Sequence, residues 1–189
     1  MADGVPSIET ARLMMRPFET DDIDQLHRIW IDPGVRKFLW DDQIIPRETA
    51  VAVVESSIDS FVTHGFGLWT ICLKNDPRLI GFGGLRHFIE DGSAESEVEI
   101  LYGVAPEHWG KGIALEAARA VLRYGFEESK LANIYAGADP PNTASFRVIE
   151  KLGMKFARKI LVNGLEAIYY AMSREDYRSD DSTYLLRRN

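Results

Sequence analysis

Gly110, Lys111 and Gly112 carry the first hint of chemistry in this chain, because they place flexible backbone where an anion could be held. The hexapeptide Trp109-Gly110-Lys111-Gly112-Ile113-Ala114 follows an apolar strand over 98–104 and the break Ala105-Pro106-Glu107-His108. It opens a helix expected to run to about Phe126. The first N–H groups of a helix lack internal partners and carry the positive end of its dipole, which suits phosphate. Glycine has no Cβ, so an anion can come close to the backbone, and Lys111 adds a mobile charge. Taken alone, the hexapeptide reads equally as a tight turn with a glycine hinge. A P-loop would need glycine at 105 and Ser or Thr at 112, where Ala105 and Gly112 stand. A dinucleotide fingerprint starting at Gly110 would need Gly or Ala at 115, which is Leu115.

Two more groups of residues could do chemistry. Asn142 and Ser145 precede Ile149 and Leu152 at spacings of three and four, so both polar side chains extend an apolar helical stripe and face inward. Inward polar groups need partners, which points to a ligand there, although Asn142 also suits a helix N-cap after Pro141. Glu97 and Glu99 share one face of their strand, opposite Val98, Ile100 and Tyr102. Glu99 reads either as a proton acceptor or as a strand carboxylate, and Glu97 as a solvated one. Tyr102 suits the core or a ligand wall. His87 and His108 read as ordinary polar residues, His87 with the option of facing an acceptor cleft.

Residues 8–16 read as one strand closed by Pro17, and Thr20-Asp21-Asp22 supply a cap and first-turn carboxylates for a helix. Its buried face is Ile23, Leu26, Ile29 and Trp30, and Phe38, Leu39 and Trp40 fall in a stretch with no assigned structure. Pro46 suits the first position of a helix whose stripe is Val51, Val54, Ile58, Phe61 and Val62. Strands follow over 68–73 and 79–88, turned by Asn75-Asp76-Pro77, and the glycines at 81, 83 and 84 suggest a bulge or close backbone approach. A polar loop, 90–96, leads into the 98–104 strand. A short strand over 133–138 precedes the helix of Asn142, which Gly153 caps. Strands over 155–162 and 165–173 form a hairpin around Asn163-Gly164, and 178–189 reads as a frayed polar tail.

With 189 residues the chain suits one well-cored domain, 1–189, and no repeat or linker divides it. A net charge of −7 argues against nucleic acid and mildly suits a cationic substrate. No apolar run reaches membrane-spanning length, and Cys72 is the only cysteine, so a cytoplasmic protein without membrane or disulfide is expected. The four histidines lack metal-ligand spacing, and no metal is expected.

Three stretches in order, Glu-Ile-Leu-Tyr-Gly-Val (99–104), Trp-Gly-Lys-Gly-Ile-Ala (109–114) and Asn-Thr-Ala-Ser-Phe-Arg-Val-Ile-Glu-Lys-Leu-Gly-Met (142–154), resemble the GCN5-related N-acetyltransferases. The branch containing the ribosomal-protein N-terminal acetyltransferases is the most similar, and the opening Thr-Ala-Arg-Leu-Met-Met-Arg-Pro-Phe fits it too. The resemblance covers about residues 8 to 173. It implies a single α/β (α+β) domain: a central mixed, mostly antiparallel sheet with splayed fourth and fifth strands and helices on both faces. Acetyl-CoA would lie between the splayed strands, a homodimer is in keeping with the family, and an amine would be the acceptor. Backbone of Gly110, Lys111, Gly112, Ile113 and Ala114, with Trp109, would hold the diphosphate. Tyr102, Gly103 and Val104 would line the pantetheine arm, Asn142 would contact it, and Ser145 would donate to the sulfur. Leu101 stands where the branch usually has glycine and Gly103 where it has a bulky residue, so a bulge is expected within two residues of that point. Trp109 replaces the Gln or Arg of the wider family.

Acetyl transfer needs a neutral amine, a polarised carbonyl and a route for the amine proton. Ordinary pKa values of about 7.8 for an α-amine and 10.4 for lysine leave roughly 10–15% of the former neutral at pH 7, against about 0.04% of the latter. Glu99 is the expected base. The acceptor is either a protein N-terminus or a small amine such as a polyamine, amino acid or aminoglycoside. A non-catalytic acyl-CoA-binding regulatory module is the reading from another class.

Overall fold

The computed structural model describes residues 5–89, 96–162 and 164–187. Among them nine strands form one sheet in the order β7-β8-β6-β5-β4-β3-β2-β1-β9. The expected first strand is two: β1 (Ser7–Glu9) and β2 (Leu13–Pro17), antiparallel to each other. Thr10 turns the chain between them, its N–H donating to the Leu13 carbonyl at 3.0 Å and its hydroxyl accepting the Leu13 N–H at 3.0 Å. That hydroxyl pulls the backbone out of the ladder, a local competition that apolar alternation does not report.

A short 3-10 turn, Thr20–Asp22, carries a capping box between Glu19 and Asp22 and leads into α1 (Ile23–Trp30). The stretch without assignment is helix α2 (Pro33–Leu39), which Asp32 caps by accepting the Gly34 N–H at 2.8 Å. Pro46 is the N-cap of α3 (Arg47–His64), one position before the expected one. β3 (Leu68–Leu73) and β4 (Asp76–Ile89) follow. Pro77 lies inside β4 rather than in the turn, at a point where the register with β3 slips between Leu73↔Asp76 and Cys72↔Leu79. Proline is tolerated there because no ladder bond is asked of it.

β5 (Ser96–Val104) pairs with β4 in unbroken register from Gly81↔Val104 to Ile89↔Ser96. The expected bulge near Leu101 is therefore absent from that ladder. The irregularity sits between β3 and β4, where Ile71↔Gly81 is followed by Cys72↔Leu79 and Ile80 is the extra residue. Close approach is real at the glycines: a Cβ on Gly84 would stand 2.2 Å from the Gly67 carbonyl oxygen, and one on Gly103 2.5 Å from the Phe82 ring. Most of the expected 90–96 loop lies outside the described residues, as does Asn163 of the hairpin turn.

The helix after the glycine turn, α4 (Ile113–Arg123), starts at Ile113 rather than Trp109 and ends in a π-helical turn, Tyr124–Glu128. It connects β5 to β6 (Asn133–Ala138), the one parallel neighbour pair among the described residues. α5 (Thr143–Lys151) then leads to the antiparallel hairpin of β7 (Lys155–Val162) and β8 (Leu165–Ser173). β8 pairs with β6.

Helices cover both faces. α1 and α3 bury Leu26, Trp30 and Val54 against Phe82, where Trp30 and Phe82 meet edge to face at 5.7 Å. On the other face Ile113, Ala117 and Val121 of α4 pack on Ile71, Leu85 and Ile100.

Of the expected frayed tail, 178–189, the described residues 178–187 pack on the domain, and 188–189 lie outside the described residues. The segment crosses the back of α4: Tyr177 stacks on Phe126 at 4.8 Å, Asp180 pairs with Arg119 at 3.7 Å, and Arg123 lies over the Tyr184 ring at 4.6 Å. It ends as β9 (Leu185–Arg187), antiparallel to β1, with Arg187 paired to the buried Glu9. Apolar Leu186 and aromatic Tyr184, not chain polarity, anchor it.

Candidate active site

β5 and β6 share a single registered pair, Glu99↔Tyr135, and part beyond it toward Val104 and Ala138. These are the fourth and fifth strands of the expected scheme, counted as fifth and sixth because the first is broken in two. The parting strands make a V whose mouth is flanked by the glycine turn after β5 and by the start of α5 after β6.

Gly110 and Gly112 both have left-handed backbone, with φ of 71° and 73°, a conformation that glycine enters without strain. Gly112 is the N-cap of α4 and offers no capping side chain, so among the described residues the first-turn N–H groups of Ile113, Ala114 and Leu115 have no side-chain acceptor. The space beside Gly110 is open to 4 Å. Lys111 is exposed and Ile113 is buried, so the lysine is free to meet an anion while the isoleucine anchors the helix.

Trp109 does something that sequence did not suggest. Its indole N–H donates to the Val104 carbonyl at 2.6 Å, and its ring lies against Gly34 at the start of α2, where a Cβ would stand 2.6 Å from it. The tryptophan thus closes the end of β5 and ties it to the opposite face. Gly103 turns toward the Phe82 ring, so its lack of side chain serves core packing.

Across the V, the Tyr102 hydroxyl meets Ser145 Oγ at 2.9 Å. Burial pushes the Tyr102 phenol up to about 12, against the weaker opposing effect of that hydrogen bond. Asn142 caps α5, its Oδ1 accepting the Ser145 N–H at 3.1 Å. Both polar residues are half-buried and find partners within the chain, so their placement does not by itself require a ligand.

At the apex Glu99 is 3% exposed, which removes the reading of a solvated strand carboxylate. Its Oε1 accepts Arg86 Nε at 2.7 Å and Nη2 at 2.6 Å, and its Oε2 accepts the Tyr169 hydroxyl at 3.0 Å. Tyr169 comes from β8, two strands away, and reaches Glu99 by lying across Gly137 of β6, where a Cβ would stand 2.6 Å from the ring. Burial and the Glu99 charge push its phenol up, which keeps the hydroxyl a donor. Glu97 is not merely solvated either. It pairs with Arg158 of β7, whose guanidinium lies 5.0 Å over the Tyr135 ring and 5.8 Å over that of Tyr169. His87 faces the other side of the sheet, against His64 at 4.5 Å and Phe66 at 5.1 Å, and does not share the face of Glu99.

Arg86, Tyr169 and Arg158 were missed from sequence. Arg86 could have been found, since any β4–β5 register that pairs Leu85 with Ile100 puts Arg86 opposite Glu99. Tyr169 and Arg158 depend on β8 lying beside β6, a strand order that local pattern does not encode.

A parallel strand pair parted at one end, with an uncapped glycine turn leading from the parting into the covering helix, is the framework of an acyl-group transferase. Residues 12–155 match the family model of the acetyltransferase (GNAT) domain. The uncharacterised N-acetyltransferase YnaD of Bacillus subtilis is 31% identical over 176 residues, covering 90% of this chain and 98% of the relative. A crystal structure of a GNAT-family acetyltransferase from Bacillus anthracis is 28% identical with a TM-score of 0.74, over 89% of this chain and 99% of that one. RimL, a ribosomal L7/L12 α-N-protein acetyltransferase in complex with coenzyme A, shares the fold at 16% identity and a TM-score of 0.69, over 87% and 95% of the two chains. The chain belongs to the GNAT acetyltransferase family and is an N-acetyltransferase.

Proposed function

We propose that the protein moves the acetyl group of acetyl-CoA to the α-amine of a peptide or protein N-terminus. The observation that carries this reading is the charge balance at the apex. Glu97 and Glu99 are each paired with an arginine, Arg158 and Arg86, so neither of these two carboxylates is left over to reward a polycation. A single α-amine, partly neutral at pH 7, asks for no such surplus.

The residues present suit the donor. The uncapped N–H groups of Ile113 and Ala114, the open side of Gly110, and Lys111 would hold the diphosphate. Tyr102, Gly103 and Val104 would border the pantetheine, with Asn142 across the V. Acetyl-CoA supplies an activated thioester. The amine nitrogen forms a C–N bond to the acetyl carbon, the C–S bond breaks, and the proton leaves the nitrogen. Glu99 accepts that proton at Oε2, whose second acceptor direction is not used by Tyr169, through one water because the carboxylate is buried. Ser145 donates a hydrogen bond to the departing sulfur, and Tyr102 holds the serine hydroxyl in place.

The test is free-thiol release from acetyl-CoA over N-terminal peptides, polyamines, amino acids and aminoglycosides. Peptides with a free α-amine are expected to turn over, and Glu99→Gln to lose about 10²-fold at neutral pH with recovery where the amine is already deprotonated. Turnover confined to polyamines would overturn the acceptor assignment. Coenzyme A binding with no turnover would favour the regulatory module, and an unchanged Glu99→Gln rate at both pH values would remove Glu99 from the chemistry.

A further inference from the structure

Arg12, in the turn between β1 and β2, reaches a part of the molecule about a hundred residues away. Its guanidinium Nη1 donates to the Lys111 carbonyl at 2.8 Å, inside the glycine turn. Its Nε donates to Glu116 Oε2 at 2.6 Å, and its backbone N–H to Glu116 Oε1 at 2.8 Å. Thr10 adds a hydroxyl bond to Glu116 Oε1 at 2.5 Å. A Cβ on Gly112 would stand 3.5 Å from Arg12 Nη2, so the guanidinium lies along the turn itself.

Two consequences follow from elementary geometry and charge. In a trans peptide the carbonyl and the following N–H point in opposite directions. Holding the Lys111 oxygen toward Arg12 therefore aims the Gly112 N–H the other way. Glu116 sits in the first turn of α4, where a bare carboxylate would oppose an anion at the helix N-terminus. Burial would raise its carboxyl, but the bonds from Thr10 and Arg12 outweigh this and hold it below the usual range, so it stays an anion whose charge Arg12 offsets.

We propose that Arg12 is a positioning residue for the donor diphosphate: it sets the direction of the Gly112 N–H and neutralises Glu116 at the mouth of α4. This rests on the reading of the turn as the coenzyme A diphosphate site. Arg12 acts through the turn, so its effect follows the diphosphate and not the acetyl group.

Calorimetric titration of coenzyme A, with kinetics on acetyl-CoA and on S-acetylpantetheine, which has no diphosphate, tests the assignment. Arg12→Ala is expected to weaken coenzyme A about tenfold, as for loss of a charge-assisted hydrogen bond. It should leave kcat at saturating acetyl-CoA, and kcat/KM on S-acetylpantetheine, within twofold of wild type. Arg12→Lys should recover only part of the loss, because one ammonium cannot bridge Lys111 and Glu116 in the fork geometry of a guanidinium. Adding Glu116→Gln to Arg12→Ala should also recover part. Unchanged coenzyme A affinity in Arg12→Ala, or an equal loss on S-acetylpantetheine, would overturn the proposal. Failure of the wild-type protein to bind coenzyme A would instead refute the diphosphate reading of the turn, and the role of Arg12 with it.

Discussion

Replacing Tyr169 with phenylalanine removes one hydroxyl and nothing else of size. The ring keeps its place across Gly137 and its stacking on Phe88 at 5.1 Å. What is lost is the donor to Glu99 Oε2, in a place where Tyr169 is 6% and Glu99 3% exposed, so the acceptor loses its one donor among the described residues in a site closed to bulk solvent. A hydrogen bond to a charged group contributes about 1.5–3 kcal/mol; with Arg86 still holding Oε1, about 2 kcal/mol is the expected loss. For a chain of this size that is a fall in Tm of about 4–8 °C. The assay is a double-mutant cycle by urea unfolding with Tyr169→Phe, Glu99→Gln and the pair. A neutral amide accepts the phenol less strongly than a carboxylate, so the two changes should couple by about 1 kcal/mol. A Tyr169→Phe protein within 0.5 kcal/mol of wild type, or a cycle with no coupling, would refute the idea that the phenol steadies a buried charge.

Three more outcomes are expected. Gly137→Ala puts a Cβ about where the Tyr169 ring lies and should match or exceed the loss of Tyr169→Phe, measured by the same unfolding curves. Gly84→Ala meets backbone oxygen at 2.2 Å, which cannot rotate away, and should lower Tm by more than Gly110→Ala, which meets open space and pays only for its positive φ. In alkali, Tyr102 and Tyr177 are both raised to about 12 by burial. A raised phenol favours the folded state fully below the unfolded value of about 10 and loses that favour as pH climbs to the folded value, so Tm should decline from pH 10 upward. Tyr102→Phe should flatten part of that decline; an identical profile would count against the burial of its hydroxyl.

How far the sequence reached follows from what each residue depends on. Helices α1 and α4 and strands β3, β5 and β6 were legible because their apolar residues repeat at the period of the element that buries them. Helix α3 was legible as an element but not in its face: it buries Ala50, Val54, Ser57 and Phe61, and Val62 of the expected stripe is exposed. The glycine turn was legible because positive φ and a helix start leave a local signature in Gly110 and Gly112. Glu99 was legible as a candidate, but not its burial, because Arg86 and Tyr169 reach it from other strands. The β1–β2 break was hidden in one threonine hydroxyl, and β9 in two leucines among charges, neither of which makes a periodic pattern. Leu101 and Gly103 suggested a bulge, whereas Gly103 answers to the Phe82 ring across the ladder.

The edge pairing of β1 with β9 carries a mechanical meaning. Ser7 faces Arg187 in that pair, so the chain enters and leaves the sheet at the same end of two antiparallel strands. Their hydrogen bonds run across the strands, and a load applied at residues 7 and 187 falls on them one after another instead of all together. Pulled from these points, β9 should peel away like a zipper at low force, followed by the segment that crosses α4. Handles placed instead on β4 and β5 would load the interior of the sheet. The resistance of this protein to force is thus a matter of direction, with its weakest axis built where the two ends of the sheet-forming chain meet.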